Sequence, residues 1–374
     1  MSKAINHVAL KAALAEQGMT QKQLATTIGV SSQAVTNWMK GKDFPRPPKL
    51  LKLAATLRLN FEQLVTNQES SAPVVAFRKK GNAKTTEKHI ERARSIGYHL
   101  RPLVPFLSEL QALRTLITSP SREYSKLEAA VAQTRLRLGI GETAILEYSH
   151  LISEFKQCGA ILVPVMWGAK GSHENALHIR LPQEDVTFIF LNLDTHLEDF
   201  KFWMAHELAH VYTPDLVGTV EGEEFADAFA GALLFPKACA ENAYREAITH
   251  ARIEELIAVL HTYADGHSIS LNTVYQQVQR YARSENLQLL PVQEKSIHAA
   301  RNSNQGQLIS EAIFDPAPPD PLLFITSCEK GFQSDFFPAL KRMLRETETG
   351  ASYIQHILNA SLGDAIAIRE ALYH

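Results

Sequence analysis

The sequence predicts a mainly α-helical chain of the α+β class. A five-helix bundle comes first, and a larger domain with a small three-stranded sheet and a helical C-terminal extension follows. Three observations carry this. Residues 1–68 break into short helical phrases, each bracketed by start and stop signals. The apolar period then turns from helical to alternating over only three runs, all within residues 160–192. Helical patterning resumes at about Leu197 and, after a proline-rich break at residues 315–321, closes the chain. With 374 residues there is room for two or three domains, and the expected division is 1–68, a linker at 69–88, 89–300 and an extension at 301–374.

Hydrophobic residues make up 45% and charged residues 21%, enough to bury a core, and no apolar run is long enough for a membrane span. Met1-Ser2-Lys3-Ala4 opens without a signal peptide, so a cytoplasmic location and no membrane partner are expected. Cys158, Cys239 and Cys328 are odd in number and far apart, which argues against a disulfide framework or a Cys-based zinc knuckle. The net charge of −2 hides an asymmetry. Residues 1–68 carry nine Lys/Arg against three Asp/Glu, a net of +6, and the rest carry 29 against 37, a net of −8. The front of the chain suits a polyanion and the back does not.

In order, the first helix runs from about Asn6 to Gln17 and stops at Gly18. Thr20 and Gln23 form a capping box for a second, which carries Leu24 and Ala25 and ends at Gly29. Ser31 and Ser32 cap a third, Gln33 to Met39, stopped by Gly41. Pro47 and Pro48 precede a fourth, Lys49 to Leu57, and Asn60 caps a short fifth. Two short helices joined by a glycine-containing turn fit a helix-turn-helix. The segment resembles the Xre/Cro-type repressor family through Thr20-Gln21-Lys22-Gln23-Leu24-Ala25, Gly29-Val30-Ser31 and Ala34-Val35-Thr36-Asn37-Trp38. By position in that motif, Gln33, Thr36 and Asn37 face the major groove of double-stranded DNA, while Lys40, Lys42 and Arg46 meet phosphates. Members of that family commonly dimerise on palindromic sites, which makes a homodimer an expectation. The bland alternative is a set of solvated polar residues on a bundle used for protein contacts.

Beyond the linker, helical patterns run over roughly 84–117, 122–137 and 142–157. Strands are expected at Ala160–Val165, Ala176–Leu181 and Val186–Asn192. The next helix carries His206-Glu207-Leu208-Ala209-His210. Helical residues four apart return to one face, so both imidazoles can reach one zinc ion while Glu207 projects toward water there. Catalytic zinc takes a third protein ligand. Glu221, Glu223 and Glu224 open a second helix that Pro236 ends, and Glu223 is the first choice because Asp227 lies one turn further on its face. Asp227 can then accept the free ring N–H of a ligand histidine. Glu224 is the runner-up, and acidic residues are favoured in a first helical turn in any case.

Phe202-Trp203-Met204-Ala205-His206-Glu207-Leu208-Ala209-His210, with Glu223, Asp227, Phe229, Ala230, Leu233, Leu234 and Pro236 downstream, resembles the ImmA/IrrE family of metallopeptidases over about residues 75–285. Asp227 stands where Asn is common in that family, and Trp203 replaces a small polar residue. The resemblance implies a gluzincin-like zinc peptidase that cuts a repressor or antitoxin protein to induce genes in stress or in mobile elements. His206, His210 and Glu223 would hold the metal and Glu207 would act as general base. Manganese can stand in for zinc in assays. The alternative is an Xre-type regulator or antitoxin whose zinc fold senses or binds without significant proteolysis. Tyr212, Tyr244, His250 and His261 are all open as oxyanion donors. Residues Arg252–Arg283 look like the helical extension of that family, with Ser268-Ile269-Ser270 capping its second part. In the last segment Leu322-Leu323-Phe324-Ile325-Thr326 suggests a strand before two closing helices, forming either a regulatory lobe or a packed extension.

Overall fold

A computed structural model of the chain describes residues 2–39, 43–68, 72–79, 87–108, 115–168, 174–303 and 306–373. They divide into two compact units, Met1–Ser71 and Ala72–His374. Among the described residues no helix is long and apolar enough to cross a membrane.

The described residues of the first unit form five helices and a two-stranded ribbon. Strand β1 (Ser2–Ile5) leads to Asn6, whose side chain accepts the Ala9 N–H and starts α1 (His7–Glu16). Helix α2 (Gln21–Ile28) begins with the Thr20–Gln23 capping box and ends at Gly29 in the left-handed conformation, φ 71°. Helix α3 (Ser32–Met39) follows after the three-residue turn Gly29-Val30-Ser31, with Ser31 Oγ accepting the Ala34 N–H. Helix α4 (Pro47–Leu57) has proline at its first position, and α5 (Phe61–Leu64) starts with a second capping box, Asn60 with Gln63. Leu10, Leu24, Ile28, Val35, Trp38, Leu53, Leu57 and Leu64 close a core of their own. Lys49 Nζ donates to the Ile28 and Gly29 carbonyls at 3.0 and 2.9 Å, a cation at the negative end of α2. The ribbon was not expected from sequence: β1 pairs antiparallel with β2 (Val65–Gln68), from Ser2 opposite Gln68 to Ile5 opposite Val65.

In the second unit the expected three-stranded sheet has four strands. The extra one, β3 (Val74–Lys79), lies inside the stretch read as a linker. The basic run after Phe77 hid the apolar pattern of Val74-Val75-Ala76-Phe77. Helix α6 (Glu87–Leu100) gives way to a tight turn at Arg101–Phe106, because Pro102 and Pro105 withhold the amide protons that would continue the expected 84–117 helix. Residues 84–86 and 109–114 of that expectation lie outside the described residues. Helices α7 (Tyr124–Arg137) and α8 (Tyr148–Gln157) precede strands β4 (Ala160–Val165), β5 (Glu174–Leu181) and β6 (Val186–Asn192). The sheet order is β3-β5-β6-β4, with β5 antiparallel to both neighbours and β4 parallel to β6. Pro164 sits on edge strand β4, where a missing N–H is tolerated.

Helices α9 (Leu197–Tyr212) and α10 (Val220–Leu234) come next, followed by α11 (Lys237–Ala247), α12 (Ile253–His267) and α13 (Leu271–Ser284). Then come α14 (Glu294–Ser303), α15 (Ile309–Ile313), α16 (Pro321–Phe332), α17 (Phe336–Glu346), α18 (Ala351–Leu358) and α19 (Leu362–Tyr373). The strand expected at residues 322–326 is part of α16. Asp320 Oδ1 accepts the Leu323 N–H, Pro321 takes the first helical position, and Phe324, Ile325 and Cys328 form a buried helical stripe.

Residues 301–374 belong to the same compact unit as the sheet, and one core runs from Phe188 and Phe190 through Phe200 and Phe229 to Phe336 and Ile357. A short ladder ties this extension to the segment that enters α9. Leu197 N–H donates to Gln307 O, Ile309 N–H to Thr195 O and Ser310 N–H to Leu193 O. Ser310 Oγ adds a bond to Asp194 Oδ1 at 2.9 Å.

Candidate functional site

Two helix starts and one tight turn build the site. Glu198 and Asp199 lie in the first turn of α9, where the helix dipole favours acids. After Tyr212 the chain turns through Pro214–Leu216, and Thr219 Oγ1 accepts the Gly222 N–H to begin α10. Gly222 lets the two approach: a Cβ there would stand 2.1 Å from the Leu216 carbonyl oxygen. That contact sets Glu223 opposite the histidines of α9.

The structure brings His206, His210 and Glu223 together. Their ligand atoms all lie within 4.8 Å of one another, and this is the cluster of metal-binding type found among the described residues. His206 Nε2 is 3.1 Å from His210 Nε2 and 3.5 Å from Glu223 Oε2, and His210 Nε2 is 3.2 Å from Glu223 Oε1. Ligands at about 2.05 Å around a tetrahedral zinc ion stand about 3.3 Å apart, so these separations suit that ion. His206 Nδ1 donates to Asp227 Oδ1 at 3.0 Å, which fixes the ring with Nε2 toward the cluster. Both rings are buried, whereas Glu223 keeps 27% and Asp227 36% of its side-chain surface, so the cluster is reached from the α10 side.

Charge is shared across the cluster. Burial pulls the His206 pKa down, but its bonds to Asp227 and Glu223, with Glu207 nearby, outweigh this and raise it to about 9. Burial pushes Glu223 up, and the two histidines reverse this and hold it well below the ordinary carboxylate range. Both shifts express the mutual attraction of the histidines and the carboxylates. Glu224 turns outward to Arg122 at 2.7 Å, so Glu223 is the acidic residue that joins the histidines.

Glu207 lies on α9 beside the first ligand histidine and is 1% exposed. Its Oε2 is 3.3 Å from Nδ1 of His178, a residue of β5 that sequence reasoning missed. His178 is equally buried, neither atom has a hydrogen bond at that distance, and its ring meets that of His210 edge-on at 5.7 Å. The signal was a lone histidine in an otherwise apolar strand, Ala176-Leu177-His178-Ile179, just upstream of the histidine helix.

The four residues considered as oxyanion donors are engaged elsewhere. Tyr212 OH donates to Glu154 Oε1 at 2.7 Å beneath the Arg137 guanidinium, and Tyr244 OH donates to Gln288 O. His250 pairs with Glu255 and His261 with Asp265.

In the first unit, Val35 and Trp38 are the buried face of α3, which leaves Gln33 exposed and Thr36 and Asn37 half-buried on the other side. Gln33 Nε2 donates to Asn37 Oδ1 at 3.0 Å, and Thr36 Oγ1 donates to Ser32 O. Arg46 is exposed at the start of α4, while Lys40 and Lys42 lie outside the described residues. No curated protein and no solved structure shows a significant match to the chain. Residues 10–64 match a family described as helix-turn-helix, so the first unit is a helix-turn-helix of the Xre type and at this level the chain is a DNA-binding regulator.

Proposed function

We propose that the chain is a DNA-tethered, zinc-dependent endopeptidase that controls transcription by cutting a repressor or antitoxin protein. The observation that carries this is the spacing of the His206, His210 and Glu223 donor atoms, with Glu207 beside them. The donor set fits zinc in type, number and separation, and it leaves a fourth position for water or substrate. Zinc bound there supplies a Lewis acid that polarises a carbonyl and makes water more acidic. Glu207 takes the proton of the attacking water and hands it to the leaving amine. Asp227 holds the His206 ring in the tautomer that points Nε2 at the cluster. In the first unit Gln33, Thr36 and Asn37 read base edges, and Arg46 with Lys40 and Lys42 grips phosphates.

The near-complete burial of His206, Glu207 and His210 gives some weight to a second reading, a regulator whose metal module senses rather than cuts. Elemental analysis of the wild-type protein and its Glu207→Gln and His210→Ala variants, joined to a cleavage assay on a panel of repressor and antitoxin proteins, separates the two. The peptidase reading expects about one zinc in the first two proteins, little in the third, and cleavage by the wild type alone. Cleavage that survives Glu207→Gln would remove the general base, and metal without cleavage would leave the sensor.

A further inference from the structure

We propose that His178 is the positioning residue for Glu207, donating from Nδ1 to Oε2 so that strand β5 holds the carboxylate in its working orientation. The inference rests on the metal-site reading and adds a residue outside the motif to it. His178 sits mid-strand, opposite Ala76 on one side and Ile189 on the other, so its backbone groups belong to the sheet ladder and only the ring is free to act. The ring is wedged against α9, where Glu207 and His210 lie three residues apart on one face, and it touches both.

His178 does not join the ligand set, since the ligand atoms that converge within 4.8 Å come from His206, His210 and Glu223. A core histidine kept only for packing would spend its ring N–H on a carbonyl. Here Nδ1 faces a buried carboxylate oxygen at 3.3 Å, and both atoms lack any other hydrogen bond. A small closing movement completes the bond. A central strand is a stiffer mount than a loop, so the base is held from the sheet while the metal ligands are held from two helices.

The test is a double-mutant cycle on the full-length, cobalt-loaded protein with acetohydroxamic acid as the probe, followed by visible absorption. A hydroxamate chelates a divalent metal and gives its acidic proton to a neighbouring carboxylate, so its affinity reads the orientation of Glu207 without any turnover. His178→Phe should weaken binding about tenfold in the native background and less than twofold in the Glu207→Gln background, with about one metal per chain throughout. His178→Gln retains a donor and should bind within about threefold of wild type, which keeps the test open if the Phe variant folds poorly. Equal losses in both backgrounds, no loss in either, or metal missing from the His178 variants would overturn the proposal. A protein that shows this coupling yet cuts no protein would remove the peptidase reading and leave the positioning role. A cleaving enzyme with additive variants would do the reverse, and a wild type that takes up no metal would overturn both.

Discussion

Gly222→Ala tests whether the turn at residues 214–222 sets the metal site. The added methyl would stand 2.1 Å from Leu216 O, 2.9 Å from its carbonyl carbon and 3.1 Å from its Cβ. Real Cβ contacts essentially never fall below 3.0 Å, so the first turn of α10 must retreat by the difference, about 0.9 Å. Glu223 is the next residue, and metal–ligand distances tolerate only about 0.2 Å. Zinc affinity should therefore fall about a hundredfold, or about 2.7 kcal/mol. Overpacking should cost about 1–3 kcal/mol of stability besides. Competition with a chromophoric chelator measures the first and urea unfolding of the metal-free protein the second. Gly231→Ala is the control. It lies further along α10, and its methyl would meet Nε2 of Gln277, the end of a side chain on α13. It should lower stability and leave zinc affinity alone. Zinc affinity within twofold of wild type in Gly222→Ala would refute the reasoning, because the close approach would then have no hold on Glu223.

Three further outcomes are expected. Asp227→Ala removes the acceptor for His206 Nδ1 and should lower zinc affinity about 10- to 100-fold, with Asp227→Asn recovering most of it in the same chelator competition. On a duplex selected by the wild-type protein, Arg46→Ala should reduce the slope of log affinity against log salt by about 0.9, and Asn37→Ala should cost about 1–3 kcal/mol by anisotropy. Burial raises the phenol pKa values of Tyr148, Tyr212 and Tyr353 above the ordinary tyrosine value of 10.0. The unfolded chain releases these protons first, so the stability they confer is whole below pH 10 and falls as pH rises above it, by at most about 1.4 kcal/mol per pH unit for each. Urea midpoints between pH 9 and 11.5 should show that fall, and Tyr353→Phe should flatten it.

What the sequence showed was what is local. The capping box at Thr20–Gln23, the cap at Asn60 and the glycine stop at Gly29 act within four residues, and all three stand in the structure where they were expected. The convergence of His206, His210 and Glu223 was legible because helix geometry converts the spacing of His206 and His210, and of Glu223 and Asp227, into shared faces. Strand partners are a different matter. Nothing near Ser2–Ile5 announces its pairing with Val65–Gln68, and Val74–Lys79 acquires its meaning from β5, roughly a hundred residues on. His178 went unseen for the same reason, since only the sheet brings it to Glu207. Leu322–Thr326 was misread because a short apolar run suits strand and buried helix alike, and Asp320 and Pro321 decided it.

The ladder between residues 307–310 and 193–197 has a consequence for how the protein is made. The first unit has its own core and is complete by Ser71, so it can fold as it leaves the ribosome. The segment that launches α9 must wait for partners that lie about 110 residues further along the chain, on the order of 6–22 s at usual rates of synthesis. The helix-turn-helix unit is thus folded before α9 is anchored. On the proposed reading, such timing would withhold hydrolysis until residues 307–310 are in place, and would delay each response by the time needed to translate them.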